Sequence, residues 1–376
     1  MRPTDWRFWS ALFAATIFLG YSAAADQCDS VQDPEATITA CSRSIKSGKP
    51  KGRDLAAYYN NRAVAYRARG DNHRAIADLN EAIRLDPKLA MAFNNRGAAY
   101  NEQGDNERAI ADFNEAIRLD PKFVMAFNNR GNAYSDQGDN DRAIADYNET
   151  IRLDPKFARA FQNRGSAYHD KGDNDRAIAD YNEAIRLEPK HAKAFLGRGI
   201  AFSAKGDNDR AITDFDAAIR LDPKSSLPYF ARGRSYLFTG SAEKALADLD
   251  QASAHAPDDV YLALWVEIAS QRNNLPSRLA QTSSRIDMNV WPAPIIRLFM
   301  GQITPAAALA AADHRDASRK RGQVCEANFY SGELSLTKGL KDEATRLFRL
   351  AASDCPRSFH EWEAANAELT ALGVVP

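Results

Sequence analysis

From residue 56 to residue 259, apolar and polar positions along the chain recur with a period of 34 residues. The unit from Ala90 to Phe123, AMAFNNRGAAYNEQGDNERAIADFNEAIRLDPKF, holds two helical periods. In its second half Ala109, Ile110, Phe113, Ala116 and Ile117 fall at i, i+1, i+4, i+7 and i+8, one apolar helix face. The opposite face is charged, and Arg108 is placed to pair with Asp112 four residues on, worth about 0.2–0.5 kcal/mol. Gly104-Asp105 breaks the chain between the two periods: the glycine can turn left-handed and the aspartate can cap the next helix. Gly70, Gly138, Gly172 and Gly206 open near-identical breaks. A single hairpin of this kind cannot bury its own apolar faces, so neighbouring units are expected to stack.

With each unit numbered from 1 to 34, position 4 is aromatic: Tyr59, Phe93, Phe127, Phe161, Phe195 and Tyr229. Position 8 is small (Ala63, Gly97, Gly131, Gly165, Gly199, Gly233), and position 11 is Tyr66, Tyr100, Tyr134, Tyr168, Phe202 and Tyr236. Position 20 is alanine and position 32 proline in all six units, 56–89, 90–123, 124–157, 158–191, 192–225 and 226–259. This spacing resembles the tetratricopeptide repeat (TPR) family. The resemblance implies an all-α fold, a right-handed α-solenoid of helical hairpins with a degenerate helical C-terminal region. It also implies a concave groove, lined by positions 2, 5, 6, 9, 12 and 13 of each first helix.

The flanks differ from the repeats. Residues 1–25 place Arg2 and Arg7 before an apolar run that ends Ala23-Ala24-Ala25, the pattern of a signal peptide cleaved before Asp26. An uncleaved anchor helix is the alternative. Residues 26–55 read as a half-repeat in which Pro34 opens a helix, Cys41 takes position 24 and Ile45 position 28, with 48–54 as the connecting loop. In an exported chain a Cys28–Cys41 disulfide would pin that helix; two buried thiols are the alternative.

Residues 260–376 form an irregular helical region. Val260–Arg272 reads as a further first helix and Trp291-Pro292 as a break before a short apolar helix, while Thr304-Pro305 starts another. A degenerate repeat returns at Cys325, which is expected to begin its first helix, with Cys355 ending its second and a Cys325–Cys355 disulfide joining adjacent ends. Phe359–Leu372 is expected to cap the array. The blocks ALWVEIASQ, WPAPIIRLFMGQITPAAALAAA and CEANFYSGELSLTKGLKDEATRLFRLAASDC resemble the C-terminal half of the NlpI-type envelope TPR lipoproteins, which implies an adaptor role. No lipobox precedes Cys28.

Composition excludes more than it assigns. Lys+Arg 49 against Asp+Glu 50 gives no basic excess for nucleic acid, and no stretch within 26–376 is long and apolar enough to span a membrane. The six histidines are scattered, and no HExxH, paired-cysteine, GxSxG, P-loop or dinucleotide pattern occurs, so no catalytic residue, metal or cofactor is expected. The repeating acids read as solvated faces and caps. The arginine at position 7 reads as a stem lying on apolar surface with its head in water.

Candidate binding chemistry lies on the first helices. Position 6 is Asn61, Asn95, Asn129 and Asn163, and position 5 is Asn60, Asn94, Asn128 and Gln162. An amide both donates and accepts, so a ladder of them suits a peptide backbone whatever its sequence. Asn132, Arg159, Ser166 and Lys193 occupy other groove positions, which vary from unit to unit while the second helices barely change. The function expected is a non-enzymatic scaffold or adaptor, exported to the bacterial periplasm, that binds a protein or peptide partner. The alternatives are an envelope enzyme with a site near Trp291 or Glu361, and a self-assembling structural solenoid.

Overall fold

A computed structural model of the protein describes residue 28 and residues 33–282, 286–356 and 359–374; the expected signal segment 1–25 lies outside the described residues. These residues form twenty helices and no strand. The first is α1 (Pro34–Lys46), with the Asp33 carboxylate accepting from the backbone N–H of Glu35 and Ala36 and proline in the first turn. The repeats follow as α2 (Gly52–Ala68), α3 (Asn72–Leu85), α4 (Ala90–Glu102), α5 (Asn106–Leu119), α6 (Val124–Asp136) and α7 (Asn140–Leu153). Then come α8 (Ala158–Asp170), α9 (Asn174–Leu187), α10 (Ala192–Ala204), α11 (Asn208–Leu221), α12 (Ser226–Phe238) and α13 (Ala242–His255). The remainder is α14 (Val260–Arg272), α15 (Leu279–Thr282), α16 (Ala293–Phe299), α17 (Pro305–Ala310), α18 (Ala317–Thr337), α19 (Lys341–Asp354) and α20 (His360–Ala371). The fold is an all-α solenoid of repeating helical hairpins.

The hairpin turns are built as the sequence predicts. Gly104 adopts φ +81°, and the Asp105 carboxylate accepts from the Arg108 backbone N–H. Close packing rests on positions 8 and 24. A Cβ added to Gly97 would stand 2.8 Å from the Phe113 ring, and one added to Gly131 would stand 2.7 Å from the Tyr147 ring. The first unit instead has Ala63 at position 8, and there position 24 is the smaller Leu79.

Two boundaries depart from expectation. Helix α2 begins at Gly52, so the loop after α1 is shorter than 48–54. Helix α18 begins at Ala317, eight residues before Cys325, because ASRKRGQV favours helix and Asp316 caps it through the Arg319 backbone N–H.

The chain divides into two compact units, one through Ala167 and one from Tyr168 onward. In the first, the hairpins α2–α3, α4–α5 and α6–α7 follow α1, which the Cys28–Cys41 disulfide ties to the chain before it. In the second, a large core gathers Phe230, Leu249, Trp265, Ile296, Phe329, Tyr330 and Phe348 from α12 to α19, and α20 adds Ala364, Ala365 and Leu369. Cys325 and Cys355 are joined, welding α18 to the end of α19.

Candidate functional site

Two polar networks organise the first unit, and only one was legible in the sequence. Arginine at position 7 makes a two-pronged ion pair with aspartate at position 23. Arg62 meets Asp78 through Nε and Nη2 at 2.7 and 2.7 Å, Arg96 meets Asp112 at 2.8 and 2.7 Å, and Arg130 meets Asp146 at 2.8 and 2.6 Å. The third nitrogen, Nη1, reaches back to position 25 of the preceding unit: Arg96 to Asn80, Arg130 to Asn114, Arg164 to Asn148. Arg62 finds Ser42 of α1 in the same way, which places α1 in register as a half-repeat. Each arginine therefore staples two repeats together. The expectation that its head reaches water is corrected, as is the expectation that Arg108 pairs with Asp112. Asp112 is buried against Arg96, and Arg108 pairs instead with the capping Asp105 at 2.5 Å. An aspartate in an apolar row needs a buried cation, and only position 7 brings one.

The asparagines form the second network, a head-to-tail chain of amides. Asn129 Nδ2 donates to Asn94 Oδ1 (3.0 Å), Asn94 to Asn95 (3.3 Å), Asn95 to Asn60 (2.9 Å) and Asn60 to Asn61 (3.3 Å). Asn61 ends the chain on the Cys28 backbone carbonyl at 3.4 Å. Farther along, Asn163 Nδ2 donates to Asn128 Oδ1 at 3.2 Å and to Asn132 Oδ1 at 3.0 Å, and Asn132 also accepts from the Tyr147 hydroxyl. Position 5 is therefore not itself a presenting surface. Asn60, Asn94 and Asn128 are buried because they sit in the seam between successive first helices, where they hold the ladder in place. Asn95, Asn129 and Asn163 are half-buried at its edge.

The other candidates sort by exposure. Met91 and Met125, at position 2, are 50% and 37% exposed, and Arg159 is exposed at the same position of the fourth unit. Gln162 and Ser166 bond each other at 3.3 Å. Lys193 lies in the second unit and is exposed.

In the second unit the two residues considered for chemistry enter one buried cluster. Trp291 Nε1 donates to Glu326 at 2.5 Å, the Tyr261 hydroxyl donates to the same oxygen, and the Tyr330 hydroxyl donates to Glu361. Burial first, and the neighbouring Glu361 second, push the Glu326 carboxyl up to about 8; burial likewise raises Glu361. Both carboxylates are almost wholly buried. Among the described residues no group of three His, Cys, Asp or Glu side chains is placed to hold a metal ion.

Comparison with known proteins fits this architecture. Residues 63–104, 97–138 and 131–172 each match the family described as "TPR repeat", and residues 163–226 match "Tetratricopeptide repeat". Among solved structures, the chain is similar to a tetratricopeptide repeat protein from Parabacteroides merdae (20% identity, 65% of this chain and 94% of that one, TM-score 0.53). It is also similar to PilW, a type IV pilus biogenesis factor (20% identity, 55% and 96% covered, TM-score 0.52), and to Pseudomonas aeruginosa pilF (19%, 56% and 97%, TM-score 0.50). With their repeats, their close helix packing and their hairpin order all of one kind, residues 63–226 of the chain are an array of tetratricopeptide repeats.

Proposed function

We propose that the protein is a non-enzymatic scaffold that binds an extended segment of a protein partner along the amide edge of α4, α6 and α8. Tetratricopeptide-repeat proteins generally act as scaffolds for protein or peptide partners. One observation carries the reading for this face. Asn95 and Asn129 each spend one N–H on the ladder, leaving a second N–H and an oxygen lone pair without a partner among the described residues. A backbone peptide unit offers one acceptor and one donor, which these spare groups match. Asn61, at the equivalent position, already meets a main-chain carbonyl, that of Cys28.

Photo-crosslinking in cells tests the reading, with a benzophenone side chain placed at Met91 or Met125, or at Glu115 on α5 as a control. Adducts are expected from the two methionine positions. They should be lost in Asn95→Ala/Asn129→Ala, since two hydrogen bonds at about 0.5–1.5 kcal/mol each make ten- to hundredfold in affinity. Equal adducts from Glu115, or adducts that survive the double change, would sink it.

We also propose export to the bacterial periplasm and an adaptor role in the cell envelope. The basic-then-apolar run of residues 1–25 and two disulfides in a chain with no free cysteine among the described residues support this. An intact mass starting near Asp26 is expected for the native protein; a retained leader argues for an anchored form instead.

A further inference from the structure

In the second unit, first-helix positions equivalent to the amide face are covered by the chain's own last helix. On α12, Phe230 (position 5) packs edge-on against His360 of α20 with ring centroids 5.2 Å apart. Arg234 (position 9) donates from Nη2 to Glu363 of α20 at 2.6 Å, its guanidinium lying over Phe230, Phe238 and Trp265. On α14, Arg272 (position 13) donates to Glu368 of α20 at 2.7 Å, and to Glu333 of α18. A buried arginine, a half-buried one and an aromatic floor thus receive two acids spaced five residues apart on one helix.

The fit of α20 is imperfect at two points. Arg234 is 5% exposed, yet its Nε is buried with no hydrogen-bond partner, because Glu363 meets it at one nitrogen only. Elsewhere in this chain arginines satisfy Nε and Nη2 together on one carboxylate, as Arg96 does on Asp112. Docking α20 also buries the Glu361 carboxyl against the Tyr330 hydroxyl, with no cation bonded to it. An unmade bond to a buried guanidinium and an unpaired buried carboxyl both oppose the docked state.

We propose that this face of α12 and α14 is a second binding surface, whose ligand is an acidic amphipathic helix of a partner protein, and that α20 occupies it as an internal ligand. A competing helix wins when its acid meets Arg234 at both nitrogens and a neutral side chain replaces Glu361. The surface is separate from the amide edge of the first unit and does not depend on that reading.

The probe is a fluorescein-labelled peptide of residues 359–374 carrying Glu361→Gln, which still accepts from Tyr330 but has no charge to bury. It is titrated into the full-length wild-type chain, with backbone hydrogen exchange measured in parallel. Saturable binding is expected, together with faster exchange in α20 and retained protection in α12 and α14. The same peptide with Glu363→Gln and Glu368→Gln should bind about tenfold more weakly or worse. Absence of binding, or binding that leaves α20 protected, overturns the proposal. Dimers of the wild-type chain that the peptide dissolves would reassign the surface to a second copy, and so overturn the partner assignment.

Discussion

At the scale of single residues, position 7 decides how successive repeats stay together. The Arg96 head is tied by two bonds to Asp112 and by a third to Asn80, with Asp112 almost wholly buried. Removing one partner of a buried pair leaves the other uncompensated, so Arg96→Ala is expected to cost about 3–5 kcal/mol. Arg118 also pairs two-pronged, with Glu115 at 2.8 and 2.6 Å, but on an exposed face. Arg118→Ala should therefore cost no more than about 1 kcal/mol. Urea unfolding of the two variants measures the difference, and equal losses would remove the staple from the account. The sequence displayed both arginines but not their ranking. Charge repeats every 34 residues at both places, and only the packed hairpin brings positions 7 and 23 together. The amide ladder was legible as a row of asparagines. Its internal bonding was not, because donor and acceptor lie 35 residues apart.

At the scale of the helical element, the recurring unit is a matched pair of positions. Glycine at position 8 faces an aromatic at position 24 in the second, third and fifth units and leucine in the sixth, while alanine in the first unit faces leucine. Gly97→Ala would press a methyl to 2.8 Å from the Phe113 ring and 3.0 Å from the Ala109 carbonyl, which is backbone and cannot swing away. Overpacking of this kind costs about 1–3 kcal/mol, more than the roughly 1 kcal/mol that alanine gains over glycine within a helix. Thermal unfolding should show Gly97→Ala destabilised, and should show the same change less costly in a Phe113→Leu background, where only the contact with the Ala109 carbonyl remains. Equal losses in both backgrounds would mean that position 24 does not set the spacing. Position 8 could be read as small from the sequence because it recurs in the 34-residue register, although its contact with position 24 needed the packed hairpin. The true start of α18 could not, since the degenerate repeat supplies no such register before Cys325.

At the scale of the whole chain, the two units are built from different electrostatics. The second buries carboxyls that lack a full complement of cations: Glu326 is pushed up to about 8 by burial and by Glu361, and Glu333 to about 7 by burial despite Arg272. Facing this cluster are Tyr261 and Arg272 of α14, Tyr330 of α18, Glu361 and Glu368 of α20, and Trp291. In the unfolded chain these glutamates titrate near their ordinary value of about 4.3. Between that value and about 8 the folded state holds more protons, so its stability is fully present below the lower value and falls as pH rises through the upper one. Each pKa unit of difference corresponds to about 1.4 kcal/mol, so a loss of a few kcal/mol is expected between about pH 5 and about pH 9. The tryptophans report it selectively: Trp265, Trp291 and Trp362 all lie in the second unit, and the other two precede residue 26. In a chain that starts at Asp26, the fluorescence-detected urea midpoint should therefore fall at pH 9 by more than the circular-dichroism signal of the repeats as a whole. Glu326→Gln keeps an oxygen for Trp291 and Tyr261 but cannot ionise, so it should remove most of the shift. A variant that folds and keeps the full pH dependence would place the responsible proton elsewhere than on Glu326.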